Sequence, residues 1–265
     1  MSETHVVKRD DEQRPLEPLF HTIRTLDMGA PLRWLRLGWQ DMKRAPGPSL
    51  VYGFSLVIFF DLLSWLAWDG GNTVALFSLV LAFILAGPVL AFGLYSISRQ
   101  LEQGRVPRLG VCLRESRYQL RNELLFAIVL LVVLLIWARA AAMVNIFAPV
   151  DEEAGWLGVV QFLAIGSAVG SIFAGLVFSI SVVSLPMMLD RDTDAITAAL
   201  TSINAVLKNK GPMLLWAVLI GLLMLLGFAT ALLGMALVLP LLGHASWHAY
   251  RETVLPPEAE GLREP

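Results

Sequence analysis

Apolar runs too long for a soluble core constrain this chain more than any other feature. A helix crossing a hydrocarbon layer of roughly 30 Å needs about 20 mostly apolar residues. Residues 49–68, 72–98, 124–149 and 156–189 each supply them. A fifth run, 213–250, holds 38 residues, about 57 Å as one helix. That is nearly twice the layer, so the run divides at Gly227–Thr230 into spans near 213–229 and 230–250, with a single long tilted helix as the alternative. With 56% apolar residues overall, the sequence reads as an all-α polytopic membrane bundle. It has six spans arranged as three helical hairpins.

Charge placement favours six spans over five. Basic residues collect on cytoplasmic flanks, while acids carry little orienting weight. With six spans and both termini cytoplasmic, every one of the 20 Lys and Arg residues except Arg139 falls inside. The connections left outside, 69–71 and 150–155, carry only Asp69, Asp151, Glu152 and Glu153. Five spans would strand Arg251 and Arg263 on the far side. The charge asymmetry points to an anionic inner leaflet as partner rather than nucleic acid. The first apolar run starts too late for a cleavable signal peptide. Residues 1–30, polar and mixed in charge, read as a disordered cytoplasmic leader, 31–252 as the membrane domain and 253–265 as a cytoplasmic tail. Cys112, the single cysteine, offers neither a disulfide nor a thiolate cluster.

Each hairpin follows a short basic segment: 35–43, 113–121 and 200–208. All three share apolar first and eighth positions and a basic ninth. Pro48 and Pro212 open the first and third spans, where a missing N–H costs nothing. The periodicity predicts cytoplasmic amphipathic helices with apolar stripes Leu32, Leu35, Trp39, Met42; Leu109, Leu113, Ser116, Leu120; and Ile196, Ala199, Leu200, Ile203, Leu207. Asp192 or Asp194 is placed to cap the third. Such helices lie in a membrane interface or dock a cytoplasmic partner. Within the fourth span, Gly166, Gly170 and Ala174 run beside Ser167, Ser171, Gly175 and Ser179, a small-residue surface suited to close helix packing. Gly87 and Ala91 offer a match, and Pro88 a bend. Trp65, Trp68 and Trp156 read as an outer aromatic belt, Trp216 and Trp247 as an inner one.

Few residues suggest chemistry. Asp61 and Arg139 are charges within spans, at similar depth. Such residues face the protein interior, paired or wet. They read as an intramembrane ion pair, as a polar path with Gln161 and Asn145, or as independent snorkelling side chains. His244 and His248, four apart near the end of the last span, share a helix face. They read as interfacial histidines bonded to head groups or loop carbonyls, with a metal or haem site and a protonation switch as alternatives. The acids of 186–194 read as solvated charges and helix starts. No phosphate loop, nucleophile elbow or zinc-protease motif is present, so no catalytic residue, metal or cofactor is expected.

Three motifs resemble a known family: Trp34, Gly38, Trp39 and Asp41 before the first span; Ser184-Leu-Pro-Met-Met-Leu-Asp-Arg191 after the fourth; and Pro240-Leu-Leu-Gly-His-Ala-Ser-Trp-His-Ala-Tyr-Arg251. Together they resemble bacterial integral membrane proteins of unknown function, a domain-of-unknown-function family in which some members carry a cytochrome c oxidase subunit label. The resemblance covers residues 30–252 and implies a bacterial inner-membrane protein. Four histidines in the whole chain do not provide the several span-borne ligands of a haem–copper centre. The leading expectation is therefore a non-enzymatic accessory, scaffold or assembly component of a membrane complex, partnered by the bilayer and by a membrane protein or further copies of itself. A small transporter or channel, with its path near Asp61 and Arg139, is the alternative.

Overall fold

A computed structural model describes residues 21–70, 90–147, 155–191, 193–230 and 233–256. Among these, the chain is helical throughout: α1 (Ala30–Arg44), α2 (Pro46–Asp69), α3 (Phe92–Glu102), α4 (Leu109–Phe147), α5 (Trp156–Ser181), α6 (Ser184–Asp190), α7 (Ala195–Lys208), α8 (Lys210–Ala229) and α9 (Met235–Thr253). Four stretches are long and apolar enough to cross a membrane: Pro46–Leu66, Glu123–Ala140, Ala164–Asp190 and Lys210–Ala229. The expected second span lies mostly outside the described residues, with only its end present as α3. The run expected to be the sixth span coincides with α9, which is not among those four stretches. It holds Pro240, two histidines and Arg251, and its buried residues run from Met235 to Thr253. Among the described helices α9 sits at the centre, packed on α1 most extensively and also on α2 and α3.

The first and third basic segments join their spans through nearly the same backbone break. Ala45 (φ −128°, ψ 57°) separates α1 from α2, and Asn209 (φ −121°, ψ 45°) separates α7 from α8. The second does not break. Its basic segment and its span form one 39-residue helix, α4, about 58 Å long. The expectation of a separate amphipathic helix before each hairpin therefore fails at the second: no proline interrupts 113–124, and helix propagation is cooperative.

Residues 21–29, assigned to a disordered leader from their polarity, are instead tied down. Ile23 pairs with Val254 as an isolated antiparallel bridge, flanked by Arg24 N–H to Thr253 O (2.8 Å) and Leu255 N–H to Thr22 O (3.0 Å). Asn209 accepts from the Leu26 N–H at 2.8 Å and donates to Arg24 O at 3.0 Å, while Lys208 Nζ donates to Ile23 O. Residues 1–20 lie outside the described part of the chain.

The core is concentrated at the end of the bundle where these charged segments meet. Trp34 and Trp216 stack edge to face with centroids 5.5 Å apart, and Trp247 meets Tyr250 at 5.7 Å. All four rings are fully buried, as are Leu185, Met187, Met188 and Met213. Trp216 and Trp247 are thus core residues and not an inner belt, whereas Trp65, Trp68 and Trp156 stand exposed as belt residues do. Close backbone approach brings α1 to α9. A Cβ on Gly38 would lie 2.6 Å from the Ala245 nitrogen, so only glycine fits there.

The small-residue face of α5 is not used in this way. Among the described residues, nothing stands within 4 Å of where a Cβ on Gly166 or Gly175 would be, and Gly170 meets only the Trp137 ring nitrogen, at 3.8 Å. Gly87 and Pro88 lie outside the described residues.

Candidate functional site: a buried hydrogen-bonded chain across four helices

The polar residues of the charged end form a connected set whose hydrogen-bond directions can be read from donor counts. On α9, His244 is fully buried. Its Nε2 lies 2.8 Å from Ser49 Oγ on α2 and its Nδ1 2.7 Å from Ser98 Oγ on α3. Ser98 Oγ is also 2.8 Å from Asp41 Oδ2 on α1, and the same carboxylate oxygen is 2.8 Å from His248 Nε2. A serine hydroxyl has one proton. Ser98 donates it to the carboxylate, which can only accept, so Ser98 must accept from an Nδ1–H on His244. With that ring neutral, as burial favours, its Nε2 is left to accept from the Ser49 hydroxyl. His248 donates to Asp41 from the other side. The resulting order runs Ser49, His244, Ser98, Asp41, His248, and joins α1, α2, α3 and α9 at one point.

Helical geometry makes this possible. His244 and His248 are one turn apart on α9, so both lie on one face, His244 reaching α2 and α3 and His248 reaching α1. Asp41 lies one turn beyond Gly38, where α1 comes closest to α9. Ser49 opens α2 just past the Ala45 break, and its own N–H is bonded to Ala45 O. Buried polar groups of this kind rigidify a fold when all are satisfied.

A second set surrounds Asp190 at the end of α6. Tyr250 donates to Asp190 Oδ2 (2.7 Å) and accepts from Arg191 Nε (3.1 Å). Arg251 bridges Asp190 at 3.1 Å and Glu102 at 2.9 Å, and Trp247 donates to Glu102 at 2.9 Å. Arg99 lies between Glu115 (3.5 Å) and Asp190 (3.7 Å), and Ser96 donates to Glu115. At the rim, Trp34 Nε1 donates to Glu252 at 2.8 Å, and Arg33 bridges Glu252 and Asp27. The exposed Asp27 is held at a pKa of about 2 by its hydrogen bond from Arg33 and one from the Gly29 N–H.

His244 and His248 were expected to face head groups. They turn inward instead, His244 wholly, because serines on α2 and α3 and a carboxylate on α1 meet them there. Asp61 is half-buried on α2, Arg139 is exposed on α4, and among the described residues no ion pair joins them. Of the two other residues suggested for a polar path, Gln161 is exposed on α5, and no side-chain description extends to Asn145. In the acidic run after the fourth span, Asp190 is a half-buried residue bonded to Tyr250 and Arg251 and not a freely solvated charge. Asp194 caps α7, accepting from the Ile196 and Thr197 N–H groups at 2.9 and 3.1 Å. Among the described residues, no group of three or more His, Cys, Asp or Glu side chains is placed to hold a metal ion.

Ser49 and Ser98 escaped the sequence reading because an isolated serine at the end of an apolar run carries no signal. Asp41 did carry one. The three motifs behind the family resemblance converge in space: Trp34, Gly38 and Asp41 from the first, Ser184–Arg191 from the second, and His244, Trp247, His248, Tyr250 and Arg251 from the third.

Comparison with known proteins agrees with that resemblance. Residues 76–190 match a family model described as "predicted integral membrane protein (DUF2189)", whose function is unknown. No curated protein and no solved structure matches the chain.

Proposed function

Starting from an integral membrane protein, we propose that this chain is a non-enzymatic scaffold or assembly component of a membrane complex. It sits in the bacterial inner membrane as three hairpins with both termini cytoplasmic. The observation that carries the reading is the outward small-residue face of α5. Ser167, Ser171, Ala174 and Gly175 are exposed, and the space beside Gly166 and Gly175 is open among the described residues. Ser171 and Ser179 donate to their own helix, to Ser167 O and Gly175 O, both at 2.7 Å. They therefore need no polar partner in lipid. A face of this kind accepts the backbone of another transmembrane helix.

The polar residues support the same reading. Those at the charged end are engaged with one another, and no ion pair joins Asp61 and Arg139 among the described residues. Isolation from native membranes in mild detergent is the test. A second membrane protein recovered in fixed ratio, and lost when Gly175→Leu and Ser171→Leu fill the face, supports the proposal. Recovery of this chain alone, with the same yield for both variants, overturns it.

A further inference from the structure

The two short helices that precede spans, α1 and α7, have opposite faces of unlike character, and each turns large apolar residues away from the protein. On α7 the buried residues are Ala198, Thr201, Ser202 and Ala205, while Ile196, Leu200 and Leu207 are 74%, 40% and 60% exposed. On α1 the buried set is Ala30, Pro31, Trp34, Gly38, Asp41 and Met42. Leu32 and Trp39, 57% and 45% exposed, point away. At 100° per residue, Leu35, Trp39 and Leu32 form one row. Arg36 and Lys43 follow directly along its edge, with the Lys43 ammonium 5.5 Å from the Trp39 ring centroid.

We propose that these outward apolar rows are seated in the lipid interface at the charged end of the bundle, and that Arg36 and Lys43 bind the phosphates of anionic lipids there. Three features support this occupant. One residue separates each helix from a membrane-crossing helix, Ala45 in one case and Asn209 in the other, which holds both rows at the level where the bilayer begins. Apolar side chains this large and contiguous on a surface mark a contact, and a row flanked by bases with a tryptophan is the pattern of an interfacial helix. Other bases at this end are engaged internally: Arg33, Arg99 and Arg251 by carboxylates, and Lys208 by a backbone carbonyl. Among the described residues, no carboxylate pairs with Arg36 or Lys43.

The test uses full-length protein in nanodiscs of phosphatidylcholine with phosphatidylglycerol. Spin labels are placed singly at Leu32→Cys, Trp39→Cys and Ile196→Cys in a Cys112→Ala background, with Leu37→Cys, on the far side of α1 from Trp39, as the aqueous control. Labels at 32, 39 and 196 should relax with oxygen and be shielded from a water-soluble nickel complex, and the label at 37 should do the reverse. Equal nickel access at all four overturns the seating and shows that the rows face water or a soluble partner. Phosphatidylglycerol retained by the purified protein is then measured for Arg36→Gln and Lys43→Gln, whose apolar rows are intact. Each should weaken retention about fivefold, equivalent to about 1 kcal/mol per base near an anionic surface. Retention unchanged from the parent protein overturns the assignment of the two bases.

Discussion

Tryptophan alone separates the molecule into two regions. At the charged end Trp34, Trp216 and Trp247 have no exposed surface, whereas along the spans Trp65, Trp68 and Trp156 are 58%, 71% and 78% exposed. The leucines and isoleucines of the spans behave like the second group, with Leu62, Ile128, Ile172 and Leu225 all more than half open. The difference follows from the surrounding solvent. Lipid is as apolar as leucine, so a span gains nothing by hiding large apolar side chains and associates only through close packing and hydrogen bonds. The charged end meets water, where burial of apolar surface contributes about 25 cal/mol per Å² and where polar groups removed from solvent must find one another. The cohesion of the described bundle accordingly lies at one end.

The comparison breaks most clearly at its aromatic centre. Trp34→Ala should lower stability by about 3–5 kcal/mol, since it leaves a cavity beside Trp216 and removes the indole hydrogen bond to Glu252. Trp68→Ala at the far end should change the unfolding midpoint in detergent little. Equal midpoint shifts would erase the distinction. A smaller contrast tests packing alone. Gly38→Ala forces a methyl against the Ala245 backbone and should cost about 1–3 kcal/mol, while Gly175→Ala enters open space and should cost nothing measurable in the isolated protein. Protease resistance of the two variants in the same detergent gives the answer.

The hydrogen-bonded chain sharpens the contrast further. Ser98→Ala strands the His244 Nδ1–H and removes one of the two bonds to Asp41 Oδ2, which should cost about 1–2 kcal/mol. Nitrogen-15 shifts of His244 should then report a changed tautomer. An unaltered ring would mean that Ser98 does not set it. The smallest effect is expected at the Asp194 cap, with Asp194→Ala costing about 1 kcal/mol. Hydrogen bonds from the start of α7 hold its carboxyl below the usual carboxylate range. Its contribution is therefore full above the ordinary pKa of 3.8 and disappears as pH falls through the lowered value. Exchange of the Ile196 and Thr197 amides should accelerate in that acid window and not at pH 5. Acceleration already at pH 5 would contradict the cap.

Length and hydropathy made the spans legible, as with Pro46–Leu66 and Lys210–Ala229, because bilayer thickness is imposed from outside and needs no tertiary information. The break near Gly227 was legible for the same reason. The amphipathic segments were legible as helices, and Leu32, Trp39, Ile196 and Leu207 of their apolar stripes do turn away from the protein, as an interfacial or docking helix requires. The opposite face was not legible, because small residues such as Gly38, Ala198 and Ala205, which supply the protein contact, carry no periodic signal. The candidate site was the least legible part. Its contacts join residues about two hundred positions apart, such as Trp34 with Glu252 and Asp41 with His248, and no local spacing encodes them.

The pairing of α1 with α9 also fixes an order in time. Trp34 meets Glu252 across 218 positions of chain, and at about 5–20 residues per second of synthesis that interval is about 10–40 seconds. Through it the inner face of α1, with Trp34 bare and Asp41 without its histidine, must be kept from other partners while the intervening spans enter the bilayer. The centre of the fold is thus completed by the last helix described, and synthesis that stalls before α9 has emerged would leave the earlier helices with no core at the charged end.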